Sequence, residues 1–423
     1  MEMLKKSLLV SLCLLAFVQV MPAQHLVASR LDSLINDAIT RQAFPGAQLY
    51  VYYRGDTLIN KSYGYHTYDS ITAVNNQHLY DLASLTKVLA GTLSVMGWTA
   101  QGFMDPDDSV GVHFPALKNT SKGKQTLREV MAHQAGWLPY ISHQNTVFTS
   151  RGRPKSRTIS PKPSKRYPYP VDTEWYVHKN YPKKIAKRIA RTPVVDPGTY
   201  KYSGLLFFLL PDWSERVLRK PWAPYVQDEF YLPIGADRLT FRPLERFKPQ
   251  EIVPTEVDTL FRKKLVHGTV HDEAASMMGG VSGNAGLFGN AHSVAQVAHL
   301  LLARGSFKST SMLPADLVDR FTAQAYPGTN NRRGIGFDKP EDNYPSSQLS
   351  PESYGHTGFT GTFFWVDPKN DFVVVLLTNR VYPSRTQQGL YDLGIRRKII
   401  DMVLANPDQT IPVEAHKTDK AQR

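Results

Sequence analysis

The pattern of apolar residues changes from helical to strand-like near the start of the chain. Between residues 26 and 40 apolar side chains recur every three or four positions, which predicts an amphipathic helix. The sequence FPG then interrupts this pattern, and residues 47–53 and 57–65 are rich in β-branched and aromatic side chains. These two stretches predict strands that turn at Gly55-Asp56, so a β-hairpin follows the helix.

The other end of the chain repeats these elements in the opposite order. The stretch TGTFFWVDPKNDFVVVLLTNR predicts two strands that turn at residues 368–370, and a helix is predicted for residues 389–404. Between the two ends, helical spacing recurs in residues 126–133, 205–218 and 294–303. We therefore predict an α+β fold in which both chain ends build one antiparallel sheet, flanked by helices, with an inserted, mostly helical lobe and a cleft between the two parts.

The first 23 residues have the layout of a secretion signal. Two lysines precede an apolar run from Leu8 to Val20, and the small residue Ala23 follows. The run is short for a bilayer span, so we predict cleavage near Ala23 and an exported, periplasmic or secreted chain; a signal anchor or a buried first helix is the alternative. Cys13, the only cysteine, lies in this segment, so disulfides and thiolate chemistry are not expected in the mature chain.

The ~400 residues that remain are enough for one large domain. We place it at residues 24–406, followed by a polar tail at 407–423. No later apolar run is long enough to cross a membrane, so the mature chain is expected not to span one.

The net charge of +13 is concentrated in one proline-rich block. Residues 151–191 contain thirteen Lys and Arg against two acids. We predict a basic insertion at about residues 141–191, in which 151–179 form a long surface loop. The insertion is either a solvated segment or a contact for an anionic partner, such as a lipopolysaccharide headgroup, a membrane surface or an acidic polymer. Nucleic acid is not expected as a partner of an exported chain.

A hydroxyl and an amine stand three residues apart in DLASLTKVLA, at Ser84 and Lys87. Side chains at this spacing are neighbours on a helix, and free N–H groups at a helix start favour negative charge. Taken alone, the pair is more often a helix cap and a surface lysine, because Ser-x-x-Lys is a common match.

Two later motifs change that interpretation. In order after SLTK come PGTYKYSG, with Tyr202, and GHTGFTG, with His356, Thr357 and Gly358. Together with LREVMAHQAGWLPY, GGVSGNAGLFGNAHSVAQVAHLL and DFVVVLLTNRVYP, these motifs make the chain resemble the serine β-lactamase and penicillin-binding-protein superfamily, in its class C-like branch of β-lactamases, esterases and peptidases. The likeness runs from about residue 26 to residue 406, interrupted by the basic insertion.

The resemblance implies a mechanism and its residues. Ser84 would attack a carbonyl and form an acyl-enzyme, and Lys87, kept neutral by burial and neighbouring charge, would accept its proton. Tyr202 would pass the proton to the leaving group and then activate water. The oxyanion would bind the backbone N–H groups of Ser84 and Phe359. His356, Thr357 and Gly358 would line the substrate site, and no cofactor or metal is implied.

Two departures from the family pattern bear on the substrate. Gly204 stands where the family has an amide side chain two residues after the tyrosine, and His356 replaces a lysine. A histidine that is only partly charged at neutral pH would hold a substrate carboxylate weakly. We therefore expect an esterase or deacylase slightly before a D-amino-acid peptidase, with β-lactamase third, and the side chain of Phe359 would narrow the acyl pocket if it points inward. A non-catalytic envelope-binding protein of the same fold is the rival that Gly204 supports.

The remaining histidines suggest no further chemistry. His267 and His271 are four residues apart in HGTVHDE, but Gly268 argues against a helix and no third zinc ligand is evident. The two acids that follow His271 are expected to hold a loop near the cleft. His133 is expected to be structural, packing beneath the Ser84 helix.

Overall fold

The computed structural model describes residues 23–308 and 310–405, with side chains from residue 26. The predicted signal segment, apart from Ala23, and the polar tail lie outside these residues. Helix α1 (Ala23–Thr40) begins the described chain, and the predicted hairpin follows as β1 (Gly46–Tyr53) and β2 (Asp56–Gly64). The hairpin near the other end is likewise present, as β4 (Phe363–Asp367) and β5 (Phe372–Thr378), preceded by β3 (Tyr354–Thr357).

These five strands form one antiparallel sheet in the order β3-β4-β5-β1-β2. The sheet is therefore assembled from both ends of the chain, as predicted. Leu49 of β1 pairs with Leu376 of β5, so the two chain ends meet at the centre of the sheet. Strand β3 lies at its edge, which leaves the motif that contains His356 next to the helical part of the molecule.

Alternation along the strands creates two cores on opposite faces of the sheet. Val374 and Leu376 pack on one face with α1 and with α3 (Ile395–Leu404), whereas Val373 and Val375 face the other side. On that second face the sheet contacts α2 (Ala291–Leu302) and belongs to the large core of the helical lobe. Burial of strands on both faces explains the nearly continuous apolar sequence of β5.

The lobe between β2 and β3 consists of short elements. Ser84 lies in a helical run made of a 3₁₀ turn (Ala83–Leu85), a π turn (Lys87–Thr92) and an α-helix (Leu93–Ala100). The other short α-helices of the lobe are Val110–His113, Leu127–Met131, Tyr181–Arg191, Leu210–Trp213, Trp222–Val226, Glu273–Ser276 and Ala315–Thr322, and helix Gly389–Asp392 follows β5. Further π turns are Ser214–Leu218 and Gln227–Tyr231, and further 3₁₀ turns are Lys122–Lys124, Gln144–Thr146, Leu206–Leu209, Pro243–Glu245 and Pro249–Glu251. Short strands pair as Tyr80–Asp81 and Thr240–Phe241 with Leu287–Gly289, Ser306–Phe307 with Thr310–Ser311, and Val257–Asp258 with Lys264–Leu265.

Two predicted helices are interrupted in the structure. The segment 205–218 is a 3₁₀ turn, an α-helix and a π turn in succession, and the C-terminal helix breaks between Asp392 and Ile395. Gly394 adopts φ 58° at that break, a left-handed conformation that ends a helix and that glycine tolerates.

Residues 151–179, predicted as a long surface loop, contain three short strands in the structure. Strands Ile159–Ser160, Tyr169–Pro170 and Tyr176–Val177 form a small sheet, and helix Tyr181–Arg191 follows it. The sheet packs on the lobe: the Arg242 guanidinium lies 4.2 Å from the centre of the Tyr169 ring, and Nζ of Lys264 lies 3.2 Å from the Asp172 carboxylate. Long-range packing therefore orders a segment whose local sequence shows no periodicity.

No helix within residues 23–308 and 310–405 is both long and apolar enough to span a bilayer.

Candidate active site

The turn that precedes Ser84 is fixed by a buried carboxylate. Oδ1 of Asp81 accepts a hydrogen bond of 2.8 Å from the backbone N–H of Ala83, and Oδ2 accepts one of 2.6 Å from the N–H of His271. Burial raises the pKa of Asp81. Ala83 adopts φ 47°, which is strained for a residue with a side chain. The carboxylate therefore supports a strained backbone immediately before the nucleophile candidate.

Lys87 contacts Ser84 directly. Its Nζ lies 2.9 Å from Oγ of Ser84 and donates a second hydrogen bond of 2.9 Å to the backbone carbonyl of Asn284. The lysine side chain is buried, whereas Ser84 is half-buried and open to a ligand. The interpretation of this lysine as an ordinary surface residue is therefore wrong, because a surface lysine would not be enclosed with its amine on a serine hydroxyl.

Tyr202 completes a cluster around the amine. The centre of its ring lies 5.3 Å from Nζ of Lys87, 4.5 Å from the centre of the His133 ring and 6.0 Å from that of His356. The residue before it is tied to the His133 segment, because the N–H of Lys201 donates to the carbonyl of His133 at 2.7 Å. His133 thus packs against the phenol of the site, and its burial, followed by the nearby Arg333 charge, holds its pKa well below the ordinary value.

His356 lies on edge strand β3 and is neutral. It is 2% exposed, and its Nδ1 donates a hydrogen bond of 2.8 Å to the carbonyl of Thr357. Burial, followed by the nearby Arg333 charge, lowers its pKa to about 3. The expectation of a partly charged histidine at neutral pH is therefore wrong, because desolvation removes its proton over the whole neutral range.

The loop after β3 is tied to the Ser84 turn. Oγ1 of Thr360 donates to the carbonyl of Asp81 at 2.8 Å, and Oγ1 of Thr362 donates to that of Leu82 at 2.9 Å. A Cβ at Gly358 would lie 2.0 Å from Oγ1 of Thr362, so only glycine permits this approach. These contacts hold the loop that contains Phe359 against the turn that precedes Ser84.

The two N–H groups predicted to bind an oxyanion are unpaired in the structure. Neither the N–H of Ser84 nor that of Phe359 donates to a group within residues 23–308 and 310–405. The ring of Phe359 is 48% exposed and packs between the Arg380 guanidinium, 4.9 Å from its centre, and the His271 ring, at 5.8 Å. The side chain is therefore held by these two neighbours while the backbone N–H stays available.

The sequence gives no sign of two further residues at the cluster. The Arg333 guanidinium lies 5.3 Å from the centre of the Tyr202 ring, is buried, and pairs with the buried carboxylate of Asp338 at 3.3 Å. Asn284 holds Lys87 through its backbone carbonyl. Asn284 occurs in the quoted stretch GGVSGNAGLFGN, but Arg333 belongs to no motif that sequence reasoning singled out.

The histidine pair 267 and 271 is not a joint site. Nε2 of His267 contacts the carbonyl of Ile252 at 2.7 Å, whereas Nε2 of His271 contacts the Glu256 carboxylate at 2.6 Å. In the part of the chain that the structure describes, no group of three or more His, Cys, Asp or Glu side chains is arranged to hold a metal ion. The acid Glu273 pairs with Arg385 at 2.9 Å and so fastens this loop, as expected.

Comparison with known sequences assigns the family. The sequence model of the family described as "Beta-lactamase" matches residues 31–395. The chain belongs to the β-lactamase family. Its hydrolase character and its resemblance to class C β-lactamases and penicillin-binding proteins are thereby confirmed.

Related sequences and solved structures of similar proteins agree with the fold of this β-lactamase-family chain. A protein of Escherichia coli (strain K12) named "Putative D-alanyl-D-alanine carboxypeptidase" is 29% identical over 360 residues, which are 77% of each chain. A class C β-lactamase structure has a TM-score of 0.66 at 14% identity and covers 93% of this chain and 99% of its own. The hydrolase EstCE1, whose title gives promiscuous acyltransferase activity, has a TM-score of 0.63 at 16% identity and covers 87% and 99%. At these identities the structural matches confirm the predicted α+β fold.

Proposed function

We propose that the chain is an exported serine hydrolase that forms an acyl-enzyme on Ser84. The observation that carries the proposal is the 2.9 Å contact between Nζ of the buried Lys87 and Oγ of Ser84. A hydroxyl becomes an effective nucleophile when an adjacent base removes its proton, and this amine is the base within reach. Hydrolysis needs a polar, preorganised site around these two groups, which the cluster of Tyr202, His133 and Arg333 supplies.

In the acylation step Oγ of Ser84 attacks the substrate carbonyl carbon while its proton passes to Lys87. The carbonyl oxygen becomes an oxyanion that binds the unpaired N–H groups of Ser84 and Phe359. The intermediate then collapses: the bond from carbon to the leaving amine or alkoxide breaks, and that group leaves with a proton delivered through Tyr202. Water, activated by Tyr202, then attacks the carbonyl carbon of the resulting ester; the bond from that carbon to Oγ breaks, Oγ regains a proton, and the carboxylic acid is released.

The substrate that we propose is a D-amino-acid peptide or a small ester. The name of the E. coli relative, which matches over most of both chains, favours the peptide. The neutral state of His356 favours substrates that need no ion pair to a carboxylate at this position. A β-lactam remains the third candidate.

A fluorophosphonate probe tests the enzymatic proposal. Ser84 should displace fluoride and form a covalent bond to phosphorus, and Ser84→Ala should abolish this labelling while thermal unfolding stays unchanged. Wild type that is not labelled would favour a non-catalytic binding protein with the same fold. A panel of p-nitrophenyl esters, D-alanyl peptides and nitrocefin then ranks the substrates, and fast nitrocefin turnover would contradict the third rank given to lactams.

We also propose that export delivers the chain to an envelope whose anionic surface contacts the basic insertion. The signal-like start of the sequence supports export. The insertion contains a cavity of about 240 Å³ lined by Arg157, His178, Asn180, Lys183, Lys184 and Lys187. None of its four Lys and Arg side chains pairs with a carboxylate within residues 26–308 and 310–405. Uncompensated cations around one cavity attract phosphate-bearing surfaces.

Vesicle sedimentation tests this contact. The protein should bind vesicles that contain anionic phospholipid and should not bind phosphatidylcholine vesicles, with binding lost as salt is raised. The double change Lys183→Gln and Lys187→Gln should weaken binding several-fold. The matched control, Lys162→Gln with Lys165→Gln, removes the same charge from exposed positions of the insertion outside the cavity. Equal loss in both double variants would contradict a role for the cavity.

A further inference from the structure

The hairpin at residues 257–265 carries its apolar side chains on the outside. Val257 and Leu265 stand directly opposite each other on its two strands, and Leu260 lies in the turn between the strands. These side chains are 42%, 41% and 68% exposed, respectively. Asp258, the next residue along the strand, faces the opposite way and is buried. A hairpin that packs on a protein core usually turns its apolar side chains inward, so this arrangement is inverted.

A buried ion pair fixes the turn in this orientation. The Asp258 carboxylate accepts hydrogen bonds from the backbone N–H groups of Leu260, Phe261 and Arg262, at 2.7, 3.0 and 2.9 Å. The Arg262 guanidinium lies 3.2 Å from the same carboxylate and donates to the carbonyl of His271 at 3.0 Å. Both charged side chains are almost completely enclosed. The turn is therefore held by several hydrogen bonds while it presents Leu260 to solvent.

The hairpin contacts the basic insertion. Nζ of Lys264 lies 3.2 Å from the carboxylate of Asp172 and 3.2 Å from that of Glu174, in the turn between two strands of the insertion. His178, which lines the basic cavity, follows Glu174 by four residues, and four residues span at most about 14 Å. The exposed apolar side chains of the hairpin are therefore close to the cations of the cavity.

A membrane surface is the partner that satisfies both features. Basic side chains attract a protein to anionic headgroups, but salt screens this attraction, and an apolar side chain gains free energy when it enters the acyl region. Stable anchoring to a bilayer generally needs two such contributions together. The insertion supplies the first contribution and the hairpin supplies the second. The exposed Lys263 beside the tip can keep its amine at the headgroups while Leu260 enters the apolar layer.

We infer that the 257–265 hairpin inserts Leu260 into the acyl region of an anionic phospholipid bilayer, with Val257 and Leu265 against the same apolar layer. The inference rests on the proposed contact between the basic insertion and an anionic envelope surface. It names a lipid bilayer as that surface, in preference to a soluble acidic polymer.

Insertion of the hairpin also brings the candidate active site to the membrane. The carbonyl of His271 accepts a hydrogen bond from Arg262 of the hairpin, and the His271 ring lies 5.8 Å from that of Phe359. The loop that contains Phe359 is tied in turn to the chain before Ser84. The proposed hydrolase thus meets substrates that are carried on the same surface.

A fluorophore at the tip measures insertion directly. The mature chain contains no cysteine, because Cys13 lies in the predicted signal segment, so Leu260→Cys provides a single site for the thiol-reactive dye NBD. Vesicles that contain anionic phospholipid should shift its emission to shorter wavelength, and lipids with nitroxide-labelled acyl chains should quench it. Phosphatidylcholine vesicles and soluble polyphosphate should leave the emission unchanged. The matched control is Val112→Cys, at a position that is 73% exposed outside the hairpin and the insertion, where the dye should stay in water.

Vesicle sedimentation measures the contribution of the tip to affinity. Leu260→Ser should weaken binding to anionic vesicles about 10-fold, because most of a leucine side chain leaves water when the tip inserts. Val112→Ser also removes an exposed apolar side chain and should change binding less than about 2-fold. Both variants should react with the fluorophosphonate probe at the wild-type rate, since neither side chain contributes to the candidate site.

The outcomes separate the inference from the proposed function. A shift of the dye with anionic vesicles, together with weaker binding of Leu260→Ser, supports the inference. Sedimentation without a shift, or with equal affinity of Leu260→Ser and wild type, overturns the inference and leaves a contact through the basic insertion alone. An equal shift with soluble polyphosphate also overturns it and identifies an acidic polymer as the partner. Wild type that does not sediment with anionic vesicles overturns the proposed surface contact as well, whereas a failure of fluorophosphonate labelling overturns only the proposed hydrolase.

Discussion

Restoring the amide of the family pattern at position 204 should damage this enzyme. Gly204→Asn adds a Cβ at 3.3 Å from Cε of Lys87 and 3.5 Å from Cβ of Asn284, and its amide group must then find room beyond that crowded point. Overpacking of this kind costs about 1–3 kcal/mol of unfolding free energy. Relief by a movement of Lys87 of ~1 Å would stretch its 2.9 Å contact with Ser84, and a misplacement of this size costs roughly 100-fold in rate.

The loss of stability and activity should increase with the size of the group added at position 204. In Gly204→Ala a shift of a few tenths of an ångström by the flexible end of Lys87 is enough, and the loss of unfolded-state entropy of about 0.4–1 kcal/mol offsets the contact. We expect an unfolding free energy within about 1 kcal/mol of wild type for this variant. Gly204→Asn should lower kcat/KM about 100-fold and lower the urea midpoint.

A double-mutant cycle tests whether the side chain of Asn284 contributes to the loss in Gly204→Asn. Asn284→Ala keeps the Cβ that lies 3.5 Å from the added Cβ but shortens the neighbouring side chain, which leaves more room for the introduced amide, so the two changes should be coupled by about 0.5–3 kcal/mol in urea unfolding. The assays are urea denaturation followed by fluorescence and initial rates with p-nitrophenyl esters and D-alanyl peptides. If Gly204→Asn turned over substrate as fast as wild type with an unchanged midpoint, the steric reasoning would be refuted.

Three further predictions concern the cluster around Tyr202. Tyr202→Phe should lower turnover at least about 100-fold without changing the urea midpoint, measured by steady-state rates and denaturation. The pKa of His356 is lowered from 6.5 to about 3, so its contribution to the free energy of unfolding is complete above pH 6.5 and is lost as pH falls towards 3. Between pH 7.5 and pH 5 the free energy of unfolding of His356→Asn should therefore decrease by about 2 kcal/mol less than that of wild type, measured by urea denaturation at both pH values. Arg333→Met should cost about 3 kcal/mol by leaving Asp338 buried with one fewer cation, and adding Asp338→Asn should recover part of it; an additive loss would contradict the pairing.

The sheet could be predicted from the sequence because its signal is local. Alternation and continuous apolar runs identify strands such as β1 and β5, and turn residues between them fix the hairpins. The helices at 205–218 and 389–404 were predicted as single elements because helical spacing survives across their breaks, although Gly394 carried a visible signal for one of them. The small sheet of the insertion depends on contacts such as Arg242 with Tyr169, which lie far apart in sequence.

The candidate site, like the fold, could be predicted from the sequence only in part. Ser84 and Lys87 are neighbours by helical geometry, and the order of the motifs selected Tyr202 and His356. The charge state of His356 could not be predicted, because it depends on how deeply the folded chain encloses the ring. The same applies to Asn284, whose carbonyl meets Lys87 across almost two hundred residues of sequence.

The two ends of the basic insertion leave the body of the protein side by side. The N–H of Val195 donates to the carbonyl of Gly136 at 2.8 Å, and Oγ of Ser203 donates to that of Leu138 at 2.7 Å. The segment between residues 138 and 195 therefore begins and ends at neighbouring points of the protein body. The exposed residues 151–157 can therefore change in length without rerouting the backbone that positions the phenol, whereas Tyr181 and Ile185 of the same segment belong to the main core.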